Sequence, residues 1–600
     1  MTRCPTTPRS AQVLALFSMV AALAACGGGG GGGGDDSPAP AAAGPAASAP
    51  AAGSPPSQPV TSAARVAGVD LVQGFVFPST DSSLLLVSNR DVIVKVNVTT
   101  TNTAEARPTG TLRIEDGNGT LIEQRALTVP TAALQSTVPV VPDFTHFYTA
   151  TVPASAVKAG LRLTVQLANG QPATVVTPRV GGSNAITFVA VPVRIQGTAA
   201  QVFAGAASYL AAQMPVSTVT AVTHAVFPSQ KVTTLPTTDD QWEAAMREVL
   251  GEMAELHNLE NATDRTFYYG FLPKRTYGIT GLGYMPGPAA VGIDFPTQPD
   301  AVVTTLVHEV GHNFSLPHAP CGVASSEDPN YPYANATLGA GSRFIWGYDK
   351  RRNAFVDPRP TTVHDLMSYC DGDTFSDFNY RRMQSYLTPA DRLSATGGVS
   401  IKSVTDSVET GPQELLLVSG RIEGDRAELG NVKSFTGIPR NIPAGAYVLR
   451  VVTAAGTVDH PFAPMALDHS SAFLPFHLAI PNPGQVVSMQ VLAADGKVLA
   501  ERRAGSPVTT DRTKAVAAAA TTVSETGGVL HLRWDAAAQR SLTVIHVGDT
   551  RTVLAQDLAS GTAELPTAAL PSGGSFELIF SDGLNSVRVT APRGAGGSVK

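Results

Sequence analysis

Charge is scarce in this chain of 600 residues: 15% of them are charged, and the formal balance is −6 at pH 7. A mild excess of acid over base argues against an electrostatic nucleic-acid binder, so nucleic acid is discounted as a partner. Long apolar runs are scarce too. The run from Ala11 to Ala25 falls short of the ~20 residues a bilayer-spanning helix needs, which argues against a single-pass anchor. No short repeat of propeller or solenoid type is evident. Cysteine occurs only four times, as Cys4, Cys26, Cys321 and Cys370. What is abundant is aliphatic residue, enough to bury several cores, and the length exceeds what one core usually serves.

At the N-terminus, Arg3 and Arg9 precede the apolar run, which ends in Leu23-Ala24-Ala25-Cys26. This reads as a secretory signal over residues 1–25 closing on small residues. Its end resembles a bacterial lipobox. That resemblance implies that Cys26 becomes the first mature residue and carries acyl chains, which hold the protein at a membrane without a spanning helix. An ordinary cleaved signal is the alternative. Gly27, where some lipoproteins have aspartate, resembles the outer-membrane class, so the expected location is the bacterial envelope, exported and lipid-anchored. Loss of Arg3 and Arg9 takes the charge from −6 to about −8. Eight glycines, Asp35-Asp36 and a Pro/Ala/Ser/Gly tract follow. Residues 26–64 are therefore expected to be a disordered tether spanning roughly 35 Å, since such a composition cannot offset chain entropy by burial. With Cys4 discarded and Cys26 lipidated, Cys321 and Cys370 are left as a pair in an exported protein, and a disulfide is predicted over two free thiols. Closing a loop of about 50 residues stabilises by up to ~4 kcal/mol.

Residues 65–184 read as short β-branched runs such as Val92–Val98 and Leu161–Leu167, with hairpin punctuation in Glu115–Leu121 and Ala168–Ala173, which predicts an all-β sandwich. Over 185–397 strands such as Ile186–Ile195 and Arg265–Leu272 alternate with helical patterns, predicting a mixed α/β domain. Its clearest helix is Asp239–Leu259, with Trp242, Met246, Val249, Leu250, Met253 and Leu256 at helical spacing and Thr237 or Thr238 as cap. Beyond Gly397 the β texture returns, with Glu414–Val418, Ala446–Val452 and Gln485–Leu492, then Val529–Trp534, Leu542–Val547 and Phe576–Phe580 after a break near 505–520. Two further sandwiches, 398–505 and 506–600, are expected. The fold class is thus multi-domain, an α/β catalytic domain flanked by all-β sandwiches.

The segment with chemistry is Leu306-Val307-His308-Glu309-Val310-Gly311-His312-Asn313-Phe314-Ser315-Leu316-Pro317-His318. Residues four apart on a helix project about 40° apart, so His308 and His312 can bind one zinc ion. Val303, Leu306, Val307, Val310 and Phe314 fall on the opposite face and supply a core side. Glu309 stands beside the pair and is suited to general-base work on a water whose pKa zinc lowers. A third ligand is needed, and His318 follows after Pro317, which forbids helical continuation.

His308-Glu309-x-x-His312-x-x-Ser315-x-x-His318 resembles the long zinc motif of the metzincins, in which glycine usually stands at the position of Ser315. Glycine there relieves a turn, so Ser315 has to tolerate strained angles or the turn differs. Asp365-Leu366-Met367-Ser368-Tyr369-Cys370 resembles the family's methionine turn, which implies a structural role for Met367 beneath the metal. Further segments, Tyr268-Tyr269-Gly270, Gly281-Leu282-Gly283-Tyr284, Ala290-Val291-Gly292, His318-Ala319-Pro320-Cys321-Gly322, Tyr331-Pro332-Tyr333, Trp346-Gly347-Tyr348 and Ser376–Tyr380, resemble the StcE-like metzincins of bacteria. That resemblance covers roughly 185–390 and implies cleavage of mucin-type glycoproteins. It also implies an edge strand, here Gly278–Met285, to which extended substrate adds. Tyr369 matches a position that in some metzincins sends a hydroxyl to the metal or the oxyanion; a packed aromatic beside the disulfide is the other reading.

Glu327 is the nearest carboxylate for a rival two-His-plus-Glu site, but its Ser-Ser-Glu-Asp-Pro context is loop-like. His364 reads as a supporting or surface residue, and His146, His224, His257, His460, His469, His477, His531 and His546 as structural. The expected function is therefore a zinc-dependent endopeptidase acting on extracellular protein, with Zn2+ as cofactor and protein or glycoprotein as substrate. A zinc-stabilised adhesin without catalysis is the alternative, and an intact Glu309 speaks against it.

Overall fold

The structure is a computed structural model that describes residues 62–322, 327–388, 411–468, 470, 472–504 and 521–594. The predicted signal, Cys26, the tether up to residue 61 and the break at 505–520 lie outside the described residues. Among the described residues no helix is long and apolar enough to cross a membrane.

The fold is multi-domain and mostly β, with an α/β domain and β-sheet layers on either side of it in the chain. The N-terminal layers are a six-stranded and a four-stranded antiparallel sheet. The latter contains both predicted hairpins, Gly110–Glu115 with Leu121–Ala126, and Arg162–Leu167 with Thr174–Val176. The six-stranded sheet is not made from N-terminal sequence alone. Trp346–Asp349 pairs with Phe75–Pro78, and Ala354–Val356 pairs in turn with Trp346–Asp349, so a hairpin from the α/β region completes it. An apolar core runs without interruption from this layer into the α/β domain.

In the α/β domain Ile186–Ile195 pairs parallel to Val219–Thr223 and to Thr266–Leu272, which pairs parallel to Ala289–Ile293. Gly281–Gly283 joins antiparallel at the edge. Among the described residues its α-helices are α1 (Ala206–Gln213), α2 (Asp239–Leu259), α3 (Pro299–Asn313) and α4 (Asp377–Leu387). α2 begins where predicted: Thr238 accepts a hydrogen bond from the Gln241 amide, and Asp239 and Asp240 occupy the positive first turn. Its predicted apolar stripe is buried, but so are Glu252, Glu255 and His257. The cause is the C-terminal half of the chain, which covers the helix's polar side: Lys433 Nζ lies 2.6 Å from Glu255 and 2.8 Å from Asp557.

Residues 411–504 form two four-stranded sheets around one apolar core, and 521–594 a three-stranded and a four-stranded sheet around another. Gln413–Glu423 carries the uninterrupted run Leu415-Leu416-Leu417-Val418 because both of its faces are covered. Leu416 and Val418 point into the sandwich, while Leu415 and Leu417 join the core of the α/β domain. The sandwich at 411–504 is thereby locked against the α/β domain.

Candidate active site

α3 starts with Pro299 in its first turn, where a missing amide costs nothing, and Asp300 follows there. Val303, Leu306, Val307, Val310 and Phe314 are all buried, as their spacing requires, which fixes the rotation of the helix and turns His308, Glu309 and His312 the other way. The helix ends in a Schellman turn. Ser315 donates to the His312 carbonyl at 2.8 Å, Leu316 donates to the Gly311 carbonyl at 3.2 Å, and Ser315 takes a left-handed φ of 68°. The strained alternative is thus the one adopted. The turn reverses the chain and brings His318 back to the other two histidines, with ring centroids 4.7 Å from His312 and 5.4 Å from His308.

The three imidazoles are buried and form one cluster of converging nitrogens. His308 Nδ1 lies 2.8 Å from the Leu366 carbonyl and His312 Nδ1 2.7 Å from the Leu316 carbonyl. A carbonyl only accepts, so each Nδ1 carries the proton, and in the neutral ring each Nε2 then presents a lone pair. The two Nε2 atoms nevertheless stand 3.1 Å apart. Two lone pairs held at that distance are suited to a shared cation, and three neutral imidazoles, each oriented or enclosed by the fold, are a donor set that zinc accepts.

Met367 is fully buried under α3. It fits because position 311 is glycine: a Cβ there would stand 2.7 Å from the Met367 sulfur. The turn that carries it is held by Asp365, which sequence reading quoted but did not single out. This buried carboxylate accepts from the Met367 and Ser376 amides at 2.8 and 2.7 Å, from Asn379 Nδ2 at 3.0 Å and from the Tyr331 hydroxyl at 3.3 Å. Burial still holds its carboxyl above the usual range despite these donors. Cys321 and Cys370 form the predicted disulfide, Cα to Cα 5.8 Å. Beside it Ala319 donates to the Met367 carbonyl and Tyr369 to the Cys321 carbonyl, each at 2.9 Å, so the segment bearing His318 and the methionine turn are stitched together.

Tyr369 is not packed away beside this disulfide. Its side chain is 46% exposed, with its ring 5.0 Å from that of His318. It stands at a cleft of about 740 Å³ lined also by Gly278–Gly281, Thr305, His308 and Glu309. Glu309 is buried, and one of its oxygens, Oε2, has no hydrogen-bond partner. Burial first, and then the neighbouring Asp468, push its carboxyl well above the ordinary range. Glu327 is exposed, and His364 is half-buried with Nδ1 on the Asn335 carbonyl at 2.8 Å, so neither joins the cluster. The predicted edge strand is there as Gly281–Gly283, anchored to α3 by Asn313, whose side-chain amide donates to the carbonyls of Tyr284 and Ala289.

Residues 273–387 match the Peptidase M66 family. The M66 segment contains the edge strand, all of α3, the three clustered histidines, the methionine turn and α4. A curated relative, the Dictomallein-like protein of Hahella chejuensis (strain KCTC 2396), is 24% identical over 363 residues, which are 52% of this chain and 52% of the relative. The chain thus spans about half the length of that relative. Among solved structures, a β-glucuronidase of Parabacteroides merdae aligns over 88% of this chain and 77% of its own at 10% identity, with a TM-score of 0.14. A β-glycosidase of Bacteroides vulgatus aligns over 88% and 80% at 8% identity, with a TM-score of 0.16. Scores so low describe no shared fold, and the glycosidases carry no argument about the M66 segment.

One residue at the cluster was missed altogether. Asp468, fully buried, comes from the sandwich at 411–504, and its carboxylate Oδ2 lies 3.4 Å from His312 Nε2. No motif surrounds it in the sequence, and it stands 150 residues beyond His318, so spacing offered no signal.

Proposed function

We propose that the chain is a zinc-dependent endopeptidase, with His308, His312 and His318 as metal ligands and Glu309 as general base. The observation that carries this is the pair of Nε2 atoms 3.1 Å apart, each ring fixed by a carbonyl on its Nδ1, beside a buried carboxylate at the floor of a cleft. Zinc held there would supply Lewis-acid polarisation of the scissile carbonyl. The chain's own part is proton handling and alignment. Glu309 takes the proton of the attacking water and returns it to the leaving amine, so no covalent intermediate forms. The Gly278–Met285 edge orients extended substrate by adding a strand. Tyr369, at the rim, is placed to meet the carbonyl oxygen of a bound peptide.

The substrate proposed is extracellular protein, with mucin-type glycoprotein as the finer reading. It rests on the resemblance to StcE-like enzymes and on the M66 match. Export and anchoring through Cys26 are proposed from the N-terminal sequence alone. Labelling with a fatty-acid analogue tests them: Cys26→Ser should abolish incorporation.

The test of activity is cleavage of a panel of mucin-type glycoproteins and of casein by the full chain in detergent, with and without a zinc chelator, beside Glu309→Gln. Chelator-sensitive cutting lost in Glu309→Gln with zinc retained supports the peptidase, and restriction to glycoproteins supports the finer reading. Zinc-loaded protein that cuts nothing favours the adhesin.

A further inference from the structure

We propose that residues 466–468, from the sandwich at 411–504, are a fixed wall across the substrate edge, so that a bound peptide pairs with that edge at Gly281 alone and is read along one side of its scissile bond. The inference rests on the reading of Gly281–Gly283 as the strand to which substrate adds.

The ladder decides which way the edge groups face. Gly281, Leu282 and Gly283 pair with Gly292, Val291 and Ala290 in antiparallel register. The Ile293 amide donates to the Thr280 carbonyl at 3.0 Å, and the Tyr284 amide to the Ala289 carbonyl at 3.3 Å. Hydrogen-bonded positions alternate along an antiparallel pair, so Thr280, Leu282 and Tyr284 turn their backbone groups inward, and Gly281, Gly283 and Met285 turn theirs to the open edge. Both glycines lie close against α3. A Cβ at 281 would stand 2.5 Å from Glu309 Oε1, and one at 283 would stand 3.0 Å from the Glu309 carbonyl and 3.3 Å from His312 Cβ. A peptide paired at Gly281 therefore passes beside the base.

Two of these three outward positions are taken by the chain itself. The Met285 amide donates to the Ala466 carbonyl at 3.0 Å, Leu467 makes an antiparallel bridge with Tyr284, and the Gly283 amide approaches Asp468 Oδ1 at 3.4 Å. The segment is anchored on both sides. Met465 donates to the Pro475 carbonyl at 2.8 Å within its own sandwich, and Leu467, 3% exposed, is buried in the core of the α/β domain. Lifting it would bring that leucine into water, so it is a wall and not a lid. Asp468 Oδ2 lies 3.4 Å from His312 Nε2, which puts the wall at the histidine cluster. The cleft ends there: Gly278–Gly281, His308 and Glu309 line it, whereas His312 and His318 are buried. An incoming peptide keeps strand geometry as far as Gly281 and has to leave the edge before Gly283, whichever way it runs. Its residues on the cleft side meet the protein in register, and those beyond the wall have no edge to pair with.

The test uses the full chain in detergent. In the resting protein, native-state hydrogen exchange should show the Met285 amide protected about 10²-fold or more over the Gly281 amide, each relative to its unfolded rate. A Met285 amide that exchanges as readily as that of Gly281 would overturn the wall, whatever the activity of the chain. Zinc-loaded protein is then given tryptic digests of casein and of mucin-type glycoproteins, and the cut sites are mapped by mass spectrometry. Residue preference should extend over several positions on one side of the cut and no further than the adjacent position on the other. Preference of equal reach on both sides would overturn the proposal. Leu467→Gly removes the anchor; it should quicken exchange at Met285 and lower KM about tenfold for peptides lengthened on the unread side, the worth of about two backbone hydrogen bonds. Leu467→Met keeps the anchor and should match wild type in both respects. A Leu467→Gly protein unchanged in exchange and in length dependence would also count against the wall. Zinc-loaded wild type that cuts nothing in either digest would sink the peptidase reading, while exchange at Met285 would still decide on the wall.

Discussion

Replacing Ser315 by glycine should strengthen the turn that delivers His318. Ser315 occupies the residue after the helix cap, where both bonds of a Schellman turn are made and φ is 68°. An L-residue pays about 1–2 kcal/mol to enter the left-handed region, because its Cβ crowds the following carbonyl. Glycine escapes that cost but loses about 0.5–1 kcal/mol more chain entropy on ordering. The difference favours Ser315→Gly by roughly 0.5–1 kcal/mol, and no side-chain bond of Ser315 has to be given up for it. In a chain with several cores a single unfolding midpoint is ill-defined, so the assay is local: native-state hydrogen exchange at the amides of residues 315 and 316. Both should slow by about two- to fivefold, with zinc affinity equal or improved. Exchange that quickens, or that does not change, would refute the argument that the serine is strained. Ser315→Val, β-branched and equally left-handed, should move exchange the other way.

Three further outcomes follow from the same geometry. A methyl group at position 281 would lie 2.5 Å from Glu309 Oε1 and 2.7 Å from Thr305 Cγ2; Gly281→Ala should displace the base and cut turnover by about 10²-fold while leaving zinc binding intact, and full activity would contradict the placement of Glu309. Glu252 is buried, its Oε1 accepts from the Gln230 and Lys231 amides, and burial above all raises its pKa to about 7. Because the unfolded carboxyl ionises near pH 4.5 and the folded one near 7, stability is lost as pH rises between those values. Glu252→Gln should therefore be neutral at pH 4 and stabilising by up to ~3 kcal/mol above pH 7, read from native-state hydrogen exchange of the α2 amides, with a pH-independent effect counting against it. Cys321→Ser with Cys370→Ser opens a loop of 49 residues. The chain-entropy model puts the loss at up to ~4 kcal/mol, and it should appear as faster proteolysis within 316–370 and weaker zinc retention; unchanged proteolysis would show that the hydrogen bonds at Ala319 and Tyr369 suffice.

Much of the site was legible because its logic is local. Four-residue spacing on a helix places His308 and His312 together whatever surrounds them, and the opposed apolar stripe sets which way they face. A threonine cap at 237 or 238, a strand at Glu414–Val418 and the pairing of Cys321 with Cys370 likewise follow from short-range chemistry or simple elimination. Strand limits moved by one to several residues, as when Glu414–Val418 became Gln413–Glu423, because a ladder extends as far as its partner allows. Only the tertiary structure decided the rest. The polar side of α2 reads as solvent-facing until Lys433, from another sheet, buries it. The hairpin at Trp346–Val356 completes a sheet begun near residue 65. Asp468 reaches His312 across an interface between two domains. Each depends on which surfaces of distant segments fit together, and that fit leaves no period or spacing in the sequence.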